Sequence, residues 1–265
     1  MEDFRTFLKG LESLDEQSRY FDILFIYNMI KVKQFVEKKT NYTKTQITTF
    51  LIACLKNPEI LTQKRIIELL DEFESSENIK LLISYLKDSN AVVRAITAYA
   101  LSDLGDIRAV EPLMECLNDA SEYVRAEAGY GLGRLRDSRA VDTLLRQFKN
   151  DTILVQQSIA KGFGLMGNLE VVEPLIHSLN SIDVGVRICI IDALGMLGDV
   201  RALEPLIACL KDNDQKVRFI IAHALGKLGD PRAIEPLRAC LEDNSKAVQR
   251  AASKSIELLK QKDLQ

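Results

Sequence analysis

Residues 198–207 read Gly-Asp-Val-Arg-Ala-Leu-Glu-Pro-Leu-Ile, and this pattern identifies the fold because it recurs at a fixed interval. The Glu-Pro pair stands at Glu111-Pro112, Glu173-Pro174, Glu204-Pro205 and Glu235-Pro236, in steps of 62, 31 and 31 residues. The interval is therefore 31 residues, with Asp142-Thr143 in place of one pair. Three further sets of residues recur at the same interval, and we call each such set a ladder. They are Gly105, Arg136, Gly167, Gly198 and Gly229; Arg94, Arg125, Gln156, Arg187, Arg218 and Gln249; and Asn57, Asp88, Asp119, Asn150, Ser181, Asp212 and Asp243. Ladders that share one register indicate an internal repeat, and the repeat governs the whole architecture.

Each repeat predicts two helices joined by a turn. In residues 199–229, Asp199 is the candidate N-cap of the first helix, and Gly198 is the glycine that ends the helix before it. Apolar residues then follow at helical spacing. They are Ala202, Leu203, Leu206, Ile207 and Leu210 in the first helix, and Val217, Ile221, Leu225 and Leu228 in the second. One such hairpin cannot bury its own apolar faces, so neighbouring hairpins must stack.

The repeat sets the domain organisation. It predicts an all-α protein, an α-solenoid of six to seven stacked helical hairpins that forms one continuous domain over residues 47–265. Residues 1–46 do not fit the repeat and hold nearly half of the Phe and Tyr residues. Two helices are expected there, near 2–13 and 16–39, as a helical N-terminal cap. A dedicated partner-binding segment is the alternative for these residues.

Composition excludes several classes of function. The 35 Lys and Arg residues nearly balance the 38 Asp and Glu residues, and the net charge of −3 makes nucleic acid and anionic membranes poor partners. The two histidines, His177 and His223, are too few for a multi-histidine metal site. The N-terminus lacks a signal-like apolar segment, and the apolar stretch at 23–30 is far shorter than the roughly 20 residues of a membrane span. We therefore expect a cytoplasmic protein with no metal, no cofactor and no membrane contact.

The repeat also resembles a known family. The stretch at 198–207, with Lys-Asp-Asn-Asp-Gln-Lys-Val-Arg at 211–218 and Ala-Leu-Gly-Lys-Leu-Gly-Asp at 224–230, resembles the HEAT-like repeat in the short form named after the phycobilisome lyases. The resemblance covers about four-fifths of the chain and implies a solenoid whose second helices line a concave groove. It does not select one function, because this repeat serves adaptors as well as bilin lyases. The iron-binding deoxyhypusine hydroxylases use His-Glu pairs, and the chain has no His-Glu dipeptide.

The candidate binding residues lie on the second helices. With Val124, Ala128, Leu132 and Leu135 in the core, the solvent side of such a helix falls at positions 123, 126, 130 and 134 and their equivalents. These positions hold apolar residues at Tyr99, Tyr123, Tyr130, Leu154, Ile188, Met196 and Phe219, then His223 and the basic residues Lys216, Lys227, Arg250 and Lys254. A contiguous apolar surface rich in aromatics and Met favours a protein interface. The alternative is a helical register shifted by one, which would place some of these residues in the core.

The remaining repeated positions have structural interpretations. Asp88, Asp119, Asp212 and Asp243 are predicted to cap the second helices, and the ladder arginines to bridge to the next turn. Cys54, Cys116, Cys209 and Cys240 share one repeat position and, with Cys189, are predicted to be unbridged packing residues. Gly133, Gly164, Gly195 and Gly226 are expected to allow close helix stacking, and Gly129, Gly131 and Gly162 to open the groove locally.

Two functions remain open. The first is a non-catalytic scaffold or adaptor that binds a partner protein in the concave groove. The second, implied by the resemblance, is a bilin lyase, lyase subunit or chaperone that acts on a phycobiliprotein with a linear tetrapyrrole. The sequence offers no compact set of acid, base and nucleophile for the second. His223 with Asp192, which is 31 residues earlier, is the nearest candidate pair.

Overall fold

The computed structural model describes residues 76–263, and contacts divide the chain into two compact units, Met1–Leu104 and Gly105–Gln265. The described part of the first unit is one hairpin, α1 (Ser76–Tyr85) and α2 (Ala91–Asp103). The predicted cap at 1–46, its two helices, and the repeat positions at Cys54 and Asn57 lie outside the described residues. The division of the chain into a cap and one solenoid domain therefore stays a prediction.

The second unit consists of five hairpins, and residues 76–263 contain no strand, which confirms the all-α prediction. The hairpins are α3 (Val110–Cys116) with α4 (Glu122–Leu135), α5 (Val141–Asn150) with α6 (Ile153–Met166), α7 (Val172–His177) with α8 (Val184–Leu197), α9 (Leu203–Ala208) with α10 (Gln215–Leu228), and α11 (Ile234–Ala239) with α12 (Lys246–Asp263). A 3₁₀ turn precedes each first helix, at Ile107–Ala109, Ser138–Ala140, Leu169–Val171, Val200–Ala202 and Pro231–Ala233. Shorter first helices thus alternate with longer second helices.

In the second unit, a capping side chain begins the 3₁₀ turn that leads into each first helix, at the residue that the repeat predicts as the cap of the helix itself. Asp199 Oδ1 accepts the backbone N–H of Arg201 at 2.9 Å, and Asp106, Asp137, Asn168 and Asp230 do the same in their own hairpins. The Arg201 guanidinium also donates to Asp199, and this hydrogen bonding holds the pKa of the carboxyl below its ordinary value. The entry to each first helix is therefore fixed locally.

The second helices begin two residues later than predicted. The N-cap of α10 is Asp214, whose side chain accepts the N–H of Lys216, and the ladder residue Asp212 instead accepts the N–H of Asp214 at 2.8 Å. In the same way, Asp119 accepts the N–H of Ser121, which is the N-cap residue of α4. The prediction that the ladder aspartates cap these helices was wrong, because their carboxylates hold the turn that leads into the N-cap.

The glycine ladder ends the second helices in the left-handed region. Gly167, Gly198 and Gly229 have φ values of 74°, 67° and 82°. The same position after α4 holds Arg136 with φ 56°, the one non-glycine residue with positive φ in the described part of the chain. A side chain with a Cβ adopts this conformation at a cost of about 1–2 kcal/mol.

We expect Arg136→Gly to raise the free energy of unfolding by about 1 kcal/mol, because glycine adopts the left-handed region without the Cβ clash. Arg136 is exposed, so little packing is lost. Urea unfolding followed by circular dichroism measures the change. Arg136→Ala is the control, since it removes the guanidinium and keeps the Cβ. Equal stabilisation by both substitutions would mean that the backbone conformation is not the cause.

The second helices stack through small residues. A Cβ placed on Gly133 would overlap the backbone of Gly162, and a Cβ on Gly195 would lie 2.9 Å from the Cβ of Ala224. Gly164 meets Ala193 and Gly226 meets Ser255 in the same way, which confirms the predicted close stacking. The expectation that Gly129, Gly131 and Gly162 open the groove was wrong. All three are buried, and Gly129 and Gly162 lie in the contact between α4 and α6.

The two helical layers of this unit are packed differently. α4, α6, α8, α10 and α12 each pack directly on the next in the series, whereas the first helices pack mainly on their own hairpin partners. Small residues bring the second helices close together, so this layer is continuously packed along residues 105–263. The concave groove that the resemblance implies along these helices stays a prediction.

The core is filled by residues from both layers. Phe163 is fully buried and packs edge-to-face on Phe148, with ring centroids 5.8 Å apart. Cys116, Cys189 and Cys240 are buried, Cys209 is half-buried, and all four are unbridged, as predicted. Burial raises the pKa values of the Cys189, Cys209 and Cys240 thiols, which makes them poor nucleophiles.

Candidate functional site

The ladder arginines fix each hairpin to the next. Arg218 donates to the backbone carbonyl of Asp212 in its own turn at 2.8 Å, and to both carboxylate oxygens of Asp243 in the next turn at 2.7 and 3.0 Å. The same bridge joins Arg125 to Asp151 and Arg187 to Asp212. These bridges confirm the predicted role of the arginines and hold the second helices in a fixed order.

We call the solvent-facing side of α4, α6, α8, α10 and α12 the inner surface, and most of the predicted binding residues are on it. Tyr123, Met196 and Phe219 are 66%, 43% and 40% exposed. Of the others, Tyr130, Leu154, Ile188 and His223 are half-buried, and Lys216, Lys227, Arg250 and Lys254 are exposed. Tyr99 is half-buried on α2 in the first unit. The predicted register differs from the structure at Ala126, which is buried in the contact between helices.

On α8, α10 and α12, inner residues that are 31 positions apart occupy the same place on neighbouring helices. We call each set of three such residues, which runs across the helices, a rank. The ranks are Ile188, Phe219 and Arg250; Asp192, His223 and Lys254; and Met196, Lys227 and Leu258. Lys227 Nζ on α10 pairs with Asp192 Oδ1 on α8 at 3.0 Å, which confirms that these helices are neighbours. We call these nine residues together with Lys216 the C-terminal patch.

His223 lies half-buried at the centre of the C-terminal patch. Burial lowers the pKa of its imidazole, and the charges of Lys227 and Lys254 lower it further, while Asp192 acts in the opposite direction. The neutral form of the imidazole is therefore favoured. The Asp192 carboxylate bonds to Lys227, and no hydrogen bond joins it to His223 within residues 76–263. The candidate pair of His223 and Asp192 does not form, because the longer Lys227 side chain reaches the carboxylate.

A profile of HEAT repeats matches residues 48–128, 110–187, 149–221 and 179–257. The chain belongs to the HEAT-repeat family. The resemblance seen in the repeat is thereby confirmed, and so is the α-solenoid fold class. No curated protein sequence matches this HEAT-repeat chain significantly.

Solved structures share the fold of this HEAT-repeat chain. The CpcE–CpcF complex of phycocyanin lyase from Nostoc sp. PCC7120 is 20% identical, with a TM-score of 0.52 over 84% of this chain and 97% of that one. Escherichia coli YibA is 17% identical, with a TM-score of 0.54 over 84% and 98% of the two chains. The Schizosaccharomyces pombe condensin Cnd3–Cnd2 subcomplex is 19% identical, with a TM-score of 0.63 over 97% of this chain and 37% of that one. Identities this low establish a common fold alone.

Two unusual residues of this HEAT-repeat chain were missed from the sequence. Glu127 is half-buried on α4, and burial raises the pKa of its carboxyl although Lys161 opposes the shift. Ile182 is 98% exposed in the turn before α8. Comparison with other repeats could have found both residues. Ile220 stands at the repeat position of Glu127, and Asn213 stands at the repeat position of Ile182. Each of the two residues therefore differs in chemical type from the residue at the same position of the hairpin formed by α9 and α10.

Two classes of site are absent from the described part of this HEAT-repeat chain. No group of three or more His, Cys, Asp or Glu residues is arranged there to hold a metal ion. No helix within residues 76–263 is long and apolar enough to cross a bilayer. The inner surface is thus the candidate site that the described residues present.

Proposed function

We propose that this HEAT-repeat chain is a non-catalytic scaffold that binds another protein on its inner surface. The observation that carries the proposal is the exposure of Tyr123, Met196 and Phe219 at inner positions of three of the five second helices of the second unit. Large apolar side chains at such positions are costly to leave in water and are enriched at the centres of protein interfaces. A partner that covers them recovers that free energy.

The rigidity of the stack supports the same proposal. The bridges from Arg125, Arg187 and Arg218 join successive turns, and glycine and alanine contacts lock the second helices together. A surface held in place before binding loses less conformational entropy when a partner docks. The inner surface is in this sense preorganised.

We expect the double variant Tyr123→Ala/Phe219→Glu to reduce partner binding at least about tenfold, because it removes an aromatic anchor and places a charge in the apolar surface. The measurement is quantitative affinity capture from the native cell, with circular dichroism to show that the variant folds. The matched control is Ile107→Ala/Val200→Glu, which alters residues that are 55% and 54% exposed in the turns before the first helices. Equal recovery by the wild type and the Tyr123/Phe219 variant would remove the inner surface as the binding site.

A second candidate function is suggested by one feature of the C-terminal patch. Arg250 and Lys254 are exposed on α12, and Phe219 is exposed on the neighbouring helix α10. The two cations suit the carboxylates of a linear tetrapyrrole, and the Phe219 ring suits its conjugated rings. Under this proposal the chain is a bilin lyase, lyase subunit or chaperone that delivers the tetrapyrrole to a phycobiliprotein. Incubation with a linear tetrapyrrole and absorption spectroscopy test it. A spectrum identical to that of the free pigment would eliminate this candidate.

A further inference from the structure

The C-terminal patch carries positive charge that the described residues do not balance. Lys216, Lys227, Arg250 and Lys254 are exposed on its α10 and α12 sides. Lys227 pairs with Asp192. The other three have no carboxylate partner within residues 76–263, although the chain as a whole has a net charge of −3. The excess of cations is therefore a property of this patch and not of the composition.

Apolar side chains lie among these cations. Met196, Phe219 and Leu258 are 43%, 40% and 42% exposed, one on each of α8, α10 and α12. In the ranks, Phe219 is equivalent to Arg250, and Leu258 to Lys227. Apolar and cationic groups are therefore interspersed across the three helices.

The environment of His223 supports this view of the charges. Lys227 on its own helix and Lys254 on α12 both disfavour its protonated form, and Asp192 on α8 opposes them. The two cations thus act on a common point at the centre of the patch. An incoming carboxylate near that point would meet Lys254 on α12, while Lys227 remains paired with Asp192.

The dimensions of the patch favour a helical ligand. Packed helices are about 8–10 Å apart, so each rank spans about 16–20 Å across the three helices. This length matches about three to four turns of an α-helix, at about 5.4 Å per turn. A helix that lays one apolar face into a groove is a common mode of peptide recognition.

We infer that the partner of this chain presents an acidic amphipathic helix to the C-terminal patch, with apolar side chains on Met196, Phe219 and Leu258 and carboxylates paired with Lys216, Arg250 and Lys254. The inference rests on the proposed function and adds the chemistry of the partner to it. Nucleic acid is the poorer ligand, because three unbalanced cations on a chain of negative net charge give little of the phosphate neutralisation on which such binding depends.

The test uses synthetic helical peptides with a fluorescent label and the full chain. The probe has leucines along one face flanked by glutamates; one comparison peptide replaces each glutamate by lysine, and another replaces each leucine by serine. Fluorescence anisotropy should show the probe binding at least about tenfold more tightly than either comparison peptide, and more weakly as salt shortens the Debye length from about 10 Å to about 3 Å.

The variant Arg250→Glu/Lys254→Glu should weaken probe binding about tenfold or more. Its control, Lys149→Glu/Lys211→Glu, makes the same change of charge at exposed residues of the first-helix layer and should leave probe binding unchanged. Equal binding of the glutamate and lysine peptides, or equal loss in both variants, would overturn the inference. Tighter binding of a labelled single-stranded oligonucleotide than of the probe would also overturn it, in favour of nucleic acid.

The failure of this inference can be told apart from the failure of the proposed function. If capture of the native partner is lost in Tyr123→Ala/Phe219→Glu but retained in Arg250→Glu/Lys254→Glu, the inner surface binds a partner that is not acidic. If capture is retained in both variants, the proposed function itself is wrong. Loss in both variants, with retention in the control, supports the two together.

Discussion

Gly133→Ala is expected to lower the free energy of unfolding by about 3 kcal/mol. The added methyl group would overlap the backbone of Gly162, and a backbone cannot rotate away as a side chain can. The helices α4 and α6 must therefore move apart, which loosens the packing around the fully buried Ile159 and Phe163. This loss outweighs the gain of about 1 kcal/mol in helix propensity that Gly→Ala brings. Urea unfolding, with the slope checked for constancy, measures the effect.

Gly185→Ala is the matched control for this prediction. It makes the same substitution in a second helix, but the new methyl group would meet the amide end of the Gln157 side chain, which can turn aside. Turning it aside breaks its hydrogen bond to Asp183, a loss that the gain in helix propensity offsets, so we expect a change in stability within about 1 kcal/mol. Similar effects of the two substitutions would contradict the view that backbone contact between α4 and α6 sets the spacing of the inner layer.

Arg218→Ala is expected to cost about 2 kcal/mol at neutral pH. The side chains of Arg218 and Asp243 are each 12% exposed, and the substitution leaves the Asp243 carboxylate without its cation. It also removes the hydrogen bond to the Asp212 carbonyl. Arg238→Ala is the control, because Arg238 and Glu235 are 55% and 78% exposed, and pairs of that kind contribute about 0.5 kcal/mol.

The effect of Arg218→Ala is expected to depend on pH. Hydrogen bonds from Arg218 hold the pKa of Asp243 below its ordinary value, so the carboxyl binds fewer protons in the folded chain than in the unfolded one. The contribution of the pair is complete above the unfolded pKa of about 3.9 and is lost as the pH falls through the lower folded value. The difference between the wild type and the variant should therefore shrink below about pH 4. A difference that stays constant to about pH 3 would show that lost packing, and not charge, causes the effect.

The architecture could be predicted because the repeat places the same chemical requirement at each position many times. Gly198 ends one helix with positive φ, and Gly167 and Gly229 do the same, so a single weak signal becomes strong by repetition. The stacking glycines are a similar case, since Gly133, Gly164, Gly195 and Gly226 all lie at the contact between neighbouring second helices.

The errors have physical causes that a sequence does not reveal. Asp212 and Asp214 are both able to accept a backbone N–H, and the backbone conformation alone decides which of them caps α10. Gly129 carries no side chain, so its sequence position does not show whether space or another helix lies above it. Ala126 is small enough for either side of a helix. Each error concerns a residue whose own chemistry suits two environments.

The candidate site was predictable in composition and not in its pairing of charges. The sequence places Phe219, His223 and Lys227 on one side of α10, and the structure shows them exposed or half-buried there. The partner of Asp192 depends on the reach of side chains across two helices, and Lys227 has the reach. Such pairing depends on distances between side-chain atoms. A repeat predicts which helices are neighbours and does not predict these distances.

The arginine ladder leaves one junction between hairpins without a charged bridge. Gln156 and Ser181 replace an arginine and its aspartate together, so no ion pair joins the second and third hairpins of the described unit. A hydrogen bond from Gln157 to Asp183, at 3.2 Å, lies at this junction instead. The junction between α6 and α8 therefore depends on this hydrogen bond and on helix packing, in which Gly164 contacts Ala193. Dissolved salt, which screens ion pairs, should accordingly affect this junction less than the junctions on either side of it.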